Sequence, residues 1–477
     1  MLRKRSIIFS LLVFCFIILL LTTGCSTSSI IQTGIPEDEI GKLYSPTELL
    51  EDLNFLFQTM EEVHPDLFAF TPEKTVRAEL EKVKSDLQEP TTRLDFFLKA
   101  TPIITMLGDG HTGGGIPRDG WNQFLEKGGK FFPLKVNIRD KRAILITDHT
   151  FNDLEIIAGS EILSINGLRM DEIITRMLDY SSGERISFRE KRLETVFHIL
   201  LWTIYNLKND FMIEFLCVKK NDLRSATIEG ITLEDTPAIS HTQEKPYSFK
   251  IIEDLNVGFI DFCSFIELEK FNEFLADTFR QIQEKDISHL IIDIRNNGGG
   301  NSLLGDAFLN YLTSEPFTLY SAVEIKISKQ IKEIYKEWDE VLKAPIGTLY
   351  TFPIEEKTPE PNPFRYEGKV YLLTGPFTFS SASDFAAAIK YYDIAVIIGE
   401  ETGGMIKCFG DLYIFSLPNT GLQYFVSHKA FIGTNHEENL YQGVKPHYHV
   451  EQTSEDLASG KDTVLNFTLD LIRSDLE

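Results

Sequence analysis

Serine and glycine gather at three places in this chain, and each place could do chemistry. Val370 to Leu373 is a short β-branched and apolar run that reads as a buried strand. Gly375 and Pro376 break it, and the alanine-rich stretch from Asp384 to Lys390 reads as a helix, so the cluster Ser380-Ser381-Ala382-Ser383 falls on a strand-to-helix turn. Such a turn projects a hydroxyl from the backbone while the first amides of the helix remain unpaired beside it. That combination is a nucleophile with half of an oxyanion hole. Ser381-Ala382-Ser383-Asp384 also matches the pattern that caps ordinary helices, and this stretch by itself does not separate the two readings.

The second place is Leu107-Gly-Asp-Gly-His-Thr-Gly-Gly-Gly115. Glycine is costly on a packed helix face and useful where a loop approaches something closely, so His111 reads as a loop histidine, on a bare surface or in a site. The third is His289-Leu-Ile-Ile-Asp-Ile-Arg-Asn-Asn-Gly-Gly-Gly300, a buried strand running into glycines able to present bare amides to an anion. No Gly-Lys-Ser/Thr follows it, which argues against a phosphate loop.

The elements that must position these residues can be read in order. The chain has 477 residues, 43% hydrophobic and 25% charged, enough for two or three domains with a sizeable core. A formal net charge of -24 argues against nucleic acid as a partner. Arg3, Lys4 and Arg5 precede an apolar run from Ile7 to Leu21, which is the layout of a secretory signal. Cys217, Cys263 and Cys408 follow it in the remaining chain, an odd and scattered set that makes neither a disulfide framework nor a zinc spacing. Residues 26–43 read as a linker. From Ser45-Pro46, apolar residues at helical spacing (Leu49, Leu53, Leu56, Phe57, Met60), then Thr71-Pro72 and Phe96 to Leu107, predict a helical domain over 44–127. Short strands follow from Phe131, with a tight turn at Asn166-Gly167 and helical pattern from Tyr180 to Leu207. From residue 246, strands alternate with helices, the sign of an α/β core.

Three resemblances sharpen this reading. The signal ending in Gly24-Cys25 resembles that of a bacterial lipoprotein, in which Cys25 is lipidated and residues 1–25 form the signal peptide; an uncleaved transmembrane anchor is the alternative. Either implies an extracytoplasmic protein of the cell envelope, tethered to a membrane. Glu161-Ile-Leu-Ser-Ile-Asn-Gly167 resembles the second half of a PDZ-type domain, here spanning 128–245 with a helical insertion, and such domains bind extended peptides at a sheet edge. Asp293-Ile-Arg-Asn-Asn-Gly-Gly-Gly300, Phe379-Ser-Ser-Ala-Ser-Asp384, Ile398-Gly-Glu-Glu-Thr-Gly-Gly404, Tyr441-Gln-Gly-Val-Lys-Pro446 and Ser459-Gly-Lys-Asp462 together resemble the tail-specific, or C-terminal processing, serine peptidase family.

That resemblance implies a mixed α/β, multidomain protein: a helical N-terminal domain carrying the histidine loop, the PDZ-like β domain, and a βα-alternating peptidase core of ClpP/crotonase type over 246–477. It implies a serine endopeptidase acting on peptides or unfolded protein. Its nucleophile falls on Ser381, and its oxyanion amides on Ala382 with Gly299 or Gly300. Where many members carry a lysine base, this chain has Met405, whose thioether cannot take a proton. The tricorn-like branch uses a histidine from an earlier loop, which puts the base on His111 and a supporting carboxylate on Glu438, beside Glu437. Lys407, two residues past Met405, is the alternative base. No cofactor is implied, and no metal is expected: His447 and His449 share a strand face and could join His436, but no carboxylate is fixed by spacing. Some relatives of the fold look like carriers, so a catalytically silent binder of peptides or hydrophobic ligands is the competing reading. Oligomeric state is left open.

Overall fold

The computed structural model describes residues 41–151, 154–235, 245–434 and 440–476. The signal region, Cys25, His436, Glu437 and Glu438 lie outside the described residues.

The helical start forms as its pattern predicts. Ser45 accepts from the Glu48 amide and its own amide donates to the Glu48 carboxylate, closing a capping box on helix Pro46–Val63; Glu73–Asp86 and Arg93–Thr105 follow. These helices do not bury their apolar faces only against one another. Leu49, Leu53, Met60 and Phe97 share one cluster with Leu422, Tyr424 and Val426 from far along the chain. Buried Asp52 reinforces the seam by accepting from the amides of Asn419 and Thr420 and from the Thr420 hydroxyl.

The middle region is an antiparallel sheet ordered Asp222–Glu229, Asp210–Cys217, Glu161–Ile165, Arg142–Leu145, Val136–Arg139. Its inner residues pack with helices Met170–Met177 and Ile186–Tyr205 in a separate cluster. The second helix lies within residues 180–207, whose pattern reads as helical.

The core has a six-stranded sheet ordered Tyr247–Ile252, Val257–Phe262, His289–Asp293, Lys369–Thr374, Val396–Gly399, Tyr448–His449, parallel except for the first strand. Alternate residues point to opposite faces, so Ile292 and Leu372 pack under helices Leu268–Glu284, Leu303–Leu312 and Ser381–Tyr391, while Ile291, Tyr371 and Leu373 pack against helix Thr463–Leu476. Arg295 clamps that last helix to the sheet, donating to Asp293 and, at 2.8 and 2.6 Å, to Asp462. The motif residues at 293, 295 and 462 are therefore structural. Beside this layer lies an antiparallel sheet ordered Leu349–Pro353, Tyr320–Lys326, Gln423–Gly433, Lys407–Ser416.

Strands His289–Asp293 and Lys369–Thr374 are hydrogen-bonded neighbours running the same way. Their carboxyl-end loops, one glycine-rich and one serine-rich, are thus adjacent, where open α/β sheets form their crevices.

Candidate active site

Asn297 knits the two loops together. Fully buried, it donates from Nδ2 to Phe262 O, accepts the Gly299 amide at Oδ1, and accepts the Phe379 amide at its carbonyl. Gly299, at φ 93, lies so close to the serine turn that an added Cβ would stand 2.7 Å from Ser380 Cβ. No other residue fits there.

The serines of the turn meet three different fates. Ser383 Oγ donates to Thr378 O, and Ser381 Oγ donates to Gly300 O at 2.7 Å. Ser380 is the last residue before helix Ser381–Tyr391, with φ 54 and ψ -134, and its side chain makes no capping bond. Left-handed backbone at a serine is strained, and such strain persists where the surroundings hold it. The hydroxyl it aims outward meets His111: Nε2 and Ser380 Oγ are 3.1 Å apart. The expected alcohol, Ser381, does not meet His111, because the helix begins at Ser381 and turns that side chain onto a carbonyl.

His111 arrives from the other end of the chain. Gly113 and Gly114 pair with Phe425 and Tyr424, adding the loop to strand Gln423–Gly433. Asp109 is the anchor, accepting the His111 amide at one oxygen and His64 Nε2, Thr112 Oγ1 and Ser427 Oγ at the other. His64 Nδ1 accepts the Asp66 amide, so His64 carries its proton on Nε2. Although burial disfavours its charge, Asp109 is held far below the usual carboxylate range by His64, by the nearby His111 and by Ser427. The imidazole of His111 stacks on Phe379 at 4.7 Å, and Phe379 stacks on Phe188 of the insertion helix at 4.0 Å. From that helix Arg192 donates to the carbonyls of Gly110 and Ser182. Burial is the main force on His111 and pushes its pKa below the ordinary value, so the ring is a neutral base at physiological pH.

The amides facing the cleft also differ from expectation. Ala382 N donates to Phe379 O and Gly299 N to Asn297, so both are engaged. Among the described residues, the amides of Ser381 and Gly300 have no acceptor, and both residues line the cleft with Ser380 and His111. The amides left open to the cleft are thus those of Gly300 and Ser381, and the amide of Ala382 is not among them. Lys407, the alternative base, is paired with Glu324 at 3.2 Å and does not line the cleft. Met405 is buried and bridges to Gly443. His447 Nδ1 accepts the Ile397 amide and His449 bonds Glu451; among the described residues no group of side chains could hold a metal ion.

Residues 256–450 match the profile of peptidase family S41. That segment is a peptidase family S41 domain. The chain is accordingly a serine-type peptidase, a hydrolase, and its S41 core is the sheet whose loops carry Ser380 and Gly300. Solved structures with the same fold include mature CPAF complexed with lactacystin, at 16% identity and a TM-score of 0.65, covering 87% of this chain and 95% of that one. Mature CPAF is similar at 17% identity and a TM-score of 0.63, covering 87% and 94%. The likeness extends well beyond the S41 core, over most of both chains.

Sequence reasoning found His111 and the glycine loop but missed Asp109, Asn297 and the stack of Phe188 on Phe379. Asp109 stood within the histidine motif, two residues from His111, and was legible as its anchor; the others carried no local signal.

Proposed function

We propose that the chain is an endopeptidase acting on peptides or unfolded polypeptide, with Ser380 as nucleophile and His111 as general base. The contact between His111 Nε2 and Ser380 Oγ carries this reading. Nε2 takes the hydroxyl proton as Oγ attacks the carbonyl carbon. The displaced electron pair moves to the carbonyl oxygen, which faces the amides of Ser381 and Gly300. Collapse expels the amine with the proton from Nε2, and water repeats the sequence on the acyl enzyme. The binder reading needs imidazole and alcohol held apart, and a separation of 3.1 Å counts against it. The cleft between these residues has a cavity volume of about 30 Å³.

A fluorophosphonate probe tests the assignment. Wild type and Ser381→Ala, which keeps its amide, label; Ser380→Ala and His111→Ala do not. Labelling that survives Ser380→Ala overturns it, and mass spectrometry of peptide-library fragments then gives the cleavage preference.

The apolar run from Ile7 to Leu21, followed by Gly24-Cys25, supports a further proposal, that the enzyme works outside the cytoplasm on a lipid anchor. None of the described helices is long and apolar enough to cross a membrane. Cys25→Ala is expected to abolish palmitate incorporation in cells and to shift the protein out of the washed membrane fraction; unchanged incorporation rejects the lipid anchor.

A further inference from the structure

One nitrogen of His111 meets a side chain and the other does not. Nε2 faces Ser380, whereas Nδ1 is buried without a side-chain partner among the described residues, and the nearby Phe409 carbonyl is the backbone group that raises the ring's proton affinity. A base that becomes an imidazolium needs compensating charge on that side. Strand Lys407–Ser416 offers it. Gly410 pairs with Lys429 and Leu412 with Ser427, and Asp411 between them adopts φ 50. A left-handed residue inside a strand interrupts the pleat and re-aims its side chain, as irregularities beside active sites do. Asp411 lines the cleft with His111 and Ser380. Its neighbour Gly410 approaches the ring so closely that an added Cβ would stand 4.0 Å from His111 Cε1. Behind it, Lys429 Nζ holds the carboxylate at 2.5 Å in a pair whose side chains are 6% and 18% exposed.

Most of the other charged groups around His111 are committed elsewhere; the exception is the Glu184 carboxyl, buried with neither oxygen hydrogen-bonded among the described residues. Asp109 already accepts four bonds, and Arg192 serves the Gly110 and Ser182 carbonyls. Glu184 lies against Gly110, and burial pushes its carboxyl up to about 8, so it is neutral. Asp384, raised to about 7 by burial, is engaged by Tyr320 and Cys408. The proton affinity of His111 is lowered by burial and by Arg192, and raised by Asp109, Asp411 and the Phe409 carbonyl.

We propose that Asp411 is a positioning residue for His111, its carboxylate, tethered by Lys429, stabilising the imidazolium that forms as Ser380 gives up its proton. This rests on the reading of Ser380 and His111 above. Lys429 tempers that stabilisation from behind, so the two residues act on the ring with opposite sign.

The test is the pH dependence of fluorophosphonate labelling of the full chain, with thermal melting as the control for folding. Asp411→Asn is expected to move the acid limb down by about one pH unit and to slow the plateau about tenfold. Lys429→Met is expected to move the limb up. The double variant, which leaves no unpaired buried charge, is expected to have a limb below wild type by less than Asp411→Asn, and it carries the test if either single variant fails to fold. Limbs that shift in the same direction in both single variants, or that stay at the wild-type position in Asp411→Asn or in the double variant, overturn the assignment of Asp411. A wild-type chain that never labels overturns the hydrolase mechanism instead.

Discussion

Gly113 pairs with Phe425 in antiparallel register, so the loop carrying His111 is an edge of the peptidase core's second sheet and no free arm of the helical domain. The imidazole of His111 is thus delivered by docking. Helices that precede it in sequence bury their faces against the strand that receives it.

Removing a donor from Asp109 should therefore loosen the base. Ser427→Ala leaves one lone pair of a buried carboxylate unserved, at a cost of about 1–3 kcal/mol. Urea denaturation is expected to show that loss, and fluorophosphonate labelling is expected to slow while far-UV circular dichroism stays unchanged.

Gly110→Ala probes the aromatic stack. An added Cβ would stand 2.5 Å from Phe379 Cζ, and Phe379 is the ring on which His111 rests. Displacing the imidazole by about 1 Å is expected to cost about 100-fold in rate. Phe188→Ala removes the far ring of the same stack and should slow labelling in the same way, by less.

Asn297→Ala should damage the oxyanion side. It strips the Gly299 amide and the Phe262 carbonyl of their partners in a buried place, costing about 3 kcal/mol of stability. Labelling should fall further than the loss of folded protein accounts for, because the glycine loop is no longer held against Ser380.

Acid and alkali should act through different groups. The pKa of His111 is depressed by burial, so the rate should rise with pH through a midpoint below the ordinary histidine value of about 6.5. His198 and His428 are both depressed to about 4, and between that value and about 6.5 the unfolded chain binds more protons than the folded one. Their contribution to stability is present above about 6.5 and is lost as pH falls toward 4. Glu184 has the opposite sign: its folded pKa is raised to about 8, so the unfolded chain releases its proton first and stability falls as pH rises toward 8. Chemical denaturation across this range is expected to show that decline, and Glu184→Gln should flatten it.

Much of this was legible in local pattern. The capping box at Ser45 and Glu48, the alternation of the core strands and the turn at Asn166 are short-range signals that sterics and period decide. His111 stood out because its glycine neighbours are needed for close approach, here to Phe379, Phe425 and Tyr424. The one-residue difference between the expected alcohol and the one that meets His111 has an equally physical origin. Ser380, Ser381 and Ser383 are chemically alike, and only the backbone angle at Ser380, held by the packing of Gly299, decides which hydroxyl leaves the turn.

From local pattern follow the helical start, the strands of the middle region and the α/β core, and the family resemblance of the motifs adds the pairing of a loop histidine with a turn serine. Tertiary structure alone decided which serine meets the imidazole, which amides stay unpaired, that Lys407 is spent on Glu324, and that Asp411 enters the cleft. Those outcomes depend on contacts between segments hundreds of residues apart, whose energies no local stretch of chain contains.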